Sequence, residues 1–123
     1  MHRSRAERFD DLVLQAVSQL EPRWEAELAR VEFAVEEIPV AGPVDGDSEQ
    51  VPLARLDPGS PGDGSTGIAA RPARIVVYRR PIIARGDNEE ELAELVLDVV
   101  VEQFARLLGV DPESVDPGYP ADE

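Results

Sequence analysis

The stretch that most constrains this chain runs from Asn88 to Val110, NEEELAELVLDVVVEQFARLLGV. Leu92, Leu95, Val96, Val99, Val100, Phe104, Leu107 and Leu108 recur at helical spacing, and Leu97 and Val101 widen the apolar face. A helix that is apolar over most of its girth belongs inside a domain, so the remaining chain must wrap around it. Both ends are marked. Asn88 with Glu91 three residues later is a capping-box pattern. Asp87, Glu89, Glu90 and Glu91 place negative charge at the positive end of the helix dipole. Gly109 is a C-terminal stop, with Pro112 soon after.

The chain before this helix supplies two more kinds of element. Ser4 and Glu7 form a second capping-box pattern, and Phe9, Leu12, Val13, Ala16, Val17 and Leu20 give one apolar stripe, so the spacing predicts a helix from Ser4 to Leu20. Pro22 ends it or starts a short new one, with Trp24, Leu28 and Ala29 turned to the core. In VEFAVEEI, 31 to 38, Val31, Phe33 and Val35 alternate with Glu32, Ala34 and Glu36, which predicts a strand with one face buried. VPLARL, 51 to 56, predicts a short strand that Pro52 confines to an edge. ARIVVYRRPII, 73 to 83, is β-branched and aromatic and predicts the best strand, disturbed near its end by Pro81.

The segments between read as loops. Residues 40–50 and 57–72 are rich in Gly, Pro, Ser and Asp. The second is read as a tolerated insertion rather than a substrate lid, since added loop length costs little stability. Residues 112–115 predict one further helical turn, and 117–123 a loose acidic tail. The whole, 1–123, is one domain with its core over about 4–116. The predicted class is α+β: a small mixed β-sheet packed with an N-terminal helix and a long central helix.

Charge and composition narrow the partners. Twenty-six Asp and Glu stand against twelve Arg, with no Lys, for a net charge of −14. Nucleic acid and anionic membranes are excluded as expected partners; the charge reads first as a source of solubility, with docking to a basic protein or peptide as the sharper alternative. There is no Cys, hence no thiolate site. No run of 18 apolar residues predicts a membrane span, and MHRSRAERFDD lacks the apolar core of a signal peptide, so the expected location is cytoplasmic.

The order and spacing of these pieces carry a resemblance. The helix with Phe9, Leu12, Val13 and Ala16, the strand VEFAVEEIP, the segment IVVYRRPI at 75 to 82, then a negatively charged turn and a long helix resemble the small bacterial minimal-zincin metallopeptidases. In that family the long helix carries HExxHxxGxxD. Two His at i and i+4 share one helix face and one zinc ion, and the Glu between them takes a proton from metal-bound water.

Anchored on Gly109, the corresponding segment here is EQFARLLGVDP, 102 to 112. The resemblance puts Glu102 where the family has its first His, Gln103 at the general base, Arg106 at the second His, and Pro112 at the Asp, with Asp111 beside it. Gln103 has no ionisable group. Arg106 is a permanent cation and repels a metal. Glu102 alone is too few ligands for zinc. Shifting the register by one brings Val101 and Ala105 to the His positions, which supplies no ligand either. Glu102 and Arg106 are instead spaced for an i, i+4 ion pair, a contribution of about 0.3–0.5 kcal/mol on an exposed face.

Other schemes are weaker. The single His, His2, stands at a terminus. The glycines at 59, 62, 64 and 67 have no strand before them and no Lys after, so they do not read as a phosphate loop. The basic residues Arg71, Arg74, Arg79, Arg80 and Arg85 read as a scattered surface. No cofactor is expected. Three functions follow as expectations. The first is a non-catalytic family member that binds a peptide or protein. The second is a metal-dependent peptidase with a nonstandard carboxylate site of Glu102, Asp111 and Glu113 suited to Mg²⁺ or Mn²⁺. The third is an acidic scaffold.

Overall fold

The long helix, α3, spans Glu89–Leu108, and the rest of the chain is laid around it. The structure, a computed structural model, describes residues 4–38 and 52–119. His2, the loop at 40–50, Val51 and the end of the acidic tail lie outside the described residues. In chain order the elements are α1 (Arg5–Leu28), β1 (Val31–Glu36), β2 (Ala54–Asp57), β3 (Ala73–Tyr78), α2 (Arg79–Ile83), α3 and α4 (Pro112–Val115).

The expected α+β architecture is present. The sheet has three strands in the order β1-β3-β2. β1 runs parallel to β3, from Val31↔Ala73 to Glu36↔Tyr78. β2 runs antiparallel to β3, from Ala54↔Val77 to Asp57↔Arg74. β2 is therefore an edge, as Pro52 implied. Helices α1 and α3 meet over one face of this sheet. Phe9, Leu12, Val13, Ala16 and Leu20 of α1 pack with Val96, Val99, Val100, Val101 and Phe104 of α3, and with Ile75 and Val77 of β3. Among the described residues no helix is long and apolar enough to cross a membrane.

Three elements differ from the sequence expectation. First, α1 runs on past Pro22 to Leu28 as two helical segments, so the short second helix allowed after Pro22 is present, but the break between them falls at Trp24 (φ −128°, ψ 24°). Second, ARIVVYRRPII is not one strand. β3 ends at Tyr78, and Arg79–Ile83 form α2, which buries Ile82 completely. Pro81 falls in the first turn of α2, where a missing N–H has no partner to lose. Glu37 draws this corner together: it accepts from Arg79 and Arg80, and the bond to Arg79 pulls its carboxyl down to about 2. Third, the segment after β2 is not irregular. Ser60 and Arg71 exchange backbone hydrogen bonds of 2.9 and 2.8 Å, and Asp63 N–H donates to Ile68 O at 2.9 Å, forming a narrow ribbon. Gly62, at φ 80°, lets its strands touch: a Cβ there would sit 2.6 Å from the Ala70 nitrogen.

The caps of the long helix were partly legible. The Asn88 side chain accepts from Glu91 N–H at 2.9 Å. The reciprocal bond shifts by one residue, with Glu91 Oε1 accepting from Asp87 N–H at 2.9 Å. At the other end Gly109 lies at φ 74°. Val110 N–H donates to Ala105 O and Gly109 N–H to Arg106 O, a Schellman closure. Nothing would crowd a side chain at 109, so the penalty for replacing it is conformational. Gly109→Ala is expected to lower unfolding free energy by about 1–2 kcal/mol. Gly109→Asn should cost less, as measured by urea denaturation.

Candidate functional site

The last two turns of α3 hold the positions that would carry chemistry. Glu102, Gln103 and Arg106 are brought to the end of the helix that Gly109 closes. The chain then turns through α4 and comes back across this end. Two features of Val115 fasten it there, one through Trp24, which in turn packs on Phe104. Val115 is fully buried. The Trp24 indole N–H donates to Val115 O at 2.9 Å. The Trp24 ring meets Phe104 edge-on, with centroids 5.8 Å apart and an 82° interplanar angle. The returning chain places Tyr119 over α3, and the Tyr119 hydroxyl donates to Glu102 Oε2.

These contacts decide what each side chain does. Glu102 is committed to Tyr119 and half-buried. Gln103 is 8% exposed, the one buried polar residue of the described core. Its Oε1 accepts from Arg106 Nη1 at 3.5 Å, across one turn of the helix. The expected Glu102–Arg106 ion pair is not made. Tyr119 takes the carboxylate and Gln103 the guanidinium, because each offers a partner close by in a partly buried setting. The motif positions thus form two separate polar contacts.

The donor set does not fit zinc. A neutral amide stands at the general-base position, a permanent cation at a ligand position, and one carboxylate is already hydrogen-bonded. Asp111 precedes α4 and, like Glu113, is exposed. Among the described residues no group of three or more His, Cys, Asp or Glu side chains is gathered so as to hold a metal ion, and Glu102, Asp111 and Glu113 do not form one.

The structure adds a residue that the sequence reading passed over. Asp98 lies one turn before Glu102 on α3. Its carboxyl is pushed up, first by burial and then by the charges of Glu102, Glu94 and Asp116. The i, i+4 run of Glu94, Asp98 and Glu102 was visible in the sequence. The return of Asp116 and Tyr119 onto it was not. Because the folded state holds the Asp98 proton more tightly than the unfolded chain, the charged carboxylate opposes folding. That opposition is complete above the folded-state value and disappears below the unfolded one near 3.8. Asp98→Asn is therefore expected to raise Tm at pH 7, with the gap to the parent closing as pH falls below 4.

A long buried helix under a small mixed sheet, closed by a left-handed glycine at the position of the Gly in HExxHxxGxxD, defines a zincin-like domain. The chain belongs to the zincin-like metallopeptidase family, whose model matches residues 28–119. A comparison with curated proteins gives no match.

Proposed function

We propose that this chain is a non-catalytic member of its family and acts by binding a peptide or protein. The observation that carries this reading is the state of position 103. The residue at the general-base position is an amide, almost fully buried and hydrogen-bonded by the arginine at the second ligand position. An amide so placed cannot take a proton from water, whatever metal is supplied. What the fold retains is a sheet with two edges, and extended peptides commonly bind by adding a strand to an edge.

The test is elemental analysis of untagged protein, purified without chelator and again after incubation with excess Zn²⁺ and Mn²⁺. It is paired with assays on unstructured polypeptide substrates. The expected result is no stoichiometric metal in either sample and no cleavage. One tightly held metal per chain, or hydrolysis abolished by Glu102→Ala, would overturn the reading.

A further inference from the structure

The two sheet edges are chemically different, and the difference singles out one of them. The edge of β2 is four residues long and presents the exposed Arg55. The edge of β1 is six residues long. Its pairing with β3 runs without a bulge, it contains no Pro and no Lys, and no other strand lies along it among the described residues. Proteins usually protect such an edge with a proline, a bulge or a lysine. Among the described residues the guard it carries is negative charge. Glu32 is exposed on one face of β1, with Glu36 half-buried beside it.

On the other face the edge opens into a groove of about 290 Å³ between β1 and α1. Asp10, Val13 and Leu14 of α1 line it, with Phe33, Ala34 and Val35 of β1. Leu14 is 63% exposed, the most exposed of the large apolar side chains described. Arg79 is close enough to feel the charge of Asp10, but it is held by Glu37. Among the described residues no cationic side chain lines the groove.

We infer that the β1 edge is a docking site for a basic extended segment of another protein, one that alternates Arg or Lys with β-branched residues. Such a segment adds a fourth strand about 4.8 Å from β1. Its apolar side chains lie on Leu14, Val13 and Phe33. Its basic side chains meet Glu32 and Glu36 on the outer face, the cross-strand opposite-charge pairing that stabilises sheets. A second copy of this chain is a poor occupant, because both copies carry a charge of −14 and the same edge acids. The inference rests on the binding reading above and names its surface.

The test uses a labelled seven-residue peptide of alternating Arg and Val, capped at both ends. Binding is followed by fluorescence anisotropy and by amide shifts of the isotope-labelled protein. The expected result is saturable binding with the largest shifts over 31–36. Leu14→Arg and Glu32→Arg, both at exposed positions, each weaken binding about tenfold while thermal melts stay two-state. Arg55→Glu leaves affinity unchanged within about twofold. A peptide of equal charge, N-methylated at alternate residues to block the ladder, should bind at least about tenfold more weakly. Equal binding by that peptide reduces the effect to bulk charge and overturns the inference. Shifts over 54–57 with 31–36 unmoved overturn the edge assignment and leave the binding reading intact. Metal-dependent cleavage of the peptide overturns both. A dimer joined through 31–36, seen by sedimentation, also overturns the assignment of a foreign strand.

Discussion

Phe104→Ala is expected to lower unfolding free energy by about 3–5 kcal/mol, the largest loss foreseen for a single truncation in this chain. The ring is completely buried in the core. It also touches Trp24 edge-on across the junction of α1 and α3. Truncation removes apolar burial, opens a cavity and leaves the indole without its aromatic partner. Part of that loss belongs to the pair. A double-mutant cycle with Trp24→Leu should give a coupling of about 0.5–1.5 kcal/mol. Trp24→Leu alone also strips the donor from Val115 O and should loosen α4. Urea midpoints measure all three variants. A Phe104→Ala loss under about 1 kcal/mol would mean that this end of α3 is not packed as described.

The second large effect is a gain. Glu102→His combined with Arg106→His puts two imidazoles at i and i+4 on a helix whose backbone is already closed by Gly109. The double variant is expected to bind Zn²⁺ more tightly than the parent. Its unfolding free energy should rise by about 2.7 kcal/mol at zinc one hundredfold above Kd. Thermal melts with and without Zn²⁺ read this directly, and chelator should reverse it. The gain should come without hydrolysis, because Gln103 is unchanged. No zinc-dependent shift would show that the returning chain at Tyr119 shuts this helix face, and that more than the ligands separates it from a metal-binding one.

The sequence made the fold largely legible, and for identifiable reasons. Helix α3, β1 and the Ser4–Glu7 cap are local: their signals are periodicity and short-range hydrogen bonds, and the cap forms with both bonds as expected, 3.1 and 3.0 Å. Proline was the weak point. Pro22 and Pro81 read as breaks in their elements, yet Pro22 sits inside a kinked helix and Pro81 in the first turn of a short one. Which outcome holds depends on what packs around each proline, and local sequence does not contain that. The site divides the same way. The replacement of ligands at 102, 103 and 106 could be read from residue identity. Their partners could not, since Tyr119 reaches Glu102 only after the chain has turned through α4.

The position of β3 has a consequence for how the protein is made. Among the described residues β1 and β2 do not pair with each other; each pairs with β3, which is last of the three in the chain. On a ribosome, everything up to residue 72 emerges with two strands and no sheet. α1 can form early, since its cap and stripe are local. β1 must wait, with its apolar face uncovered, until Ile75 and Val77 arrive and α3 follows. Non-local parallel pairing of this kind is slow, and it leaves strand edges open while it waits. The interval between the synthesis of β1 and of β3 is then the time of greatest exposure to aggregation. The acids at Glu32 and Glu36 would act in that interval before they act in the folded protein, by keeping nascent chains apart.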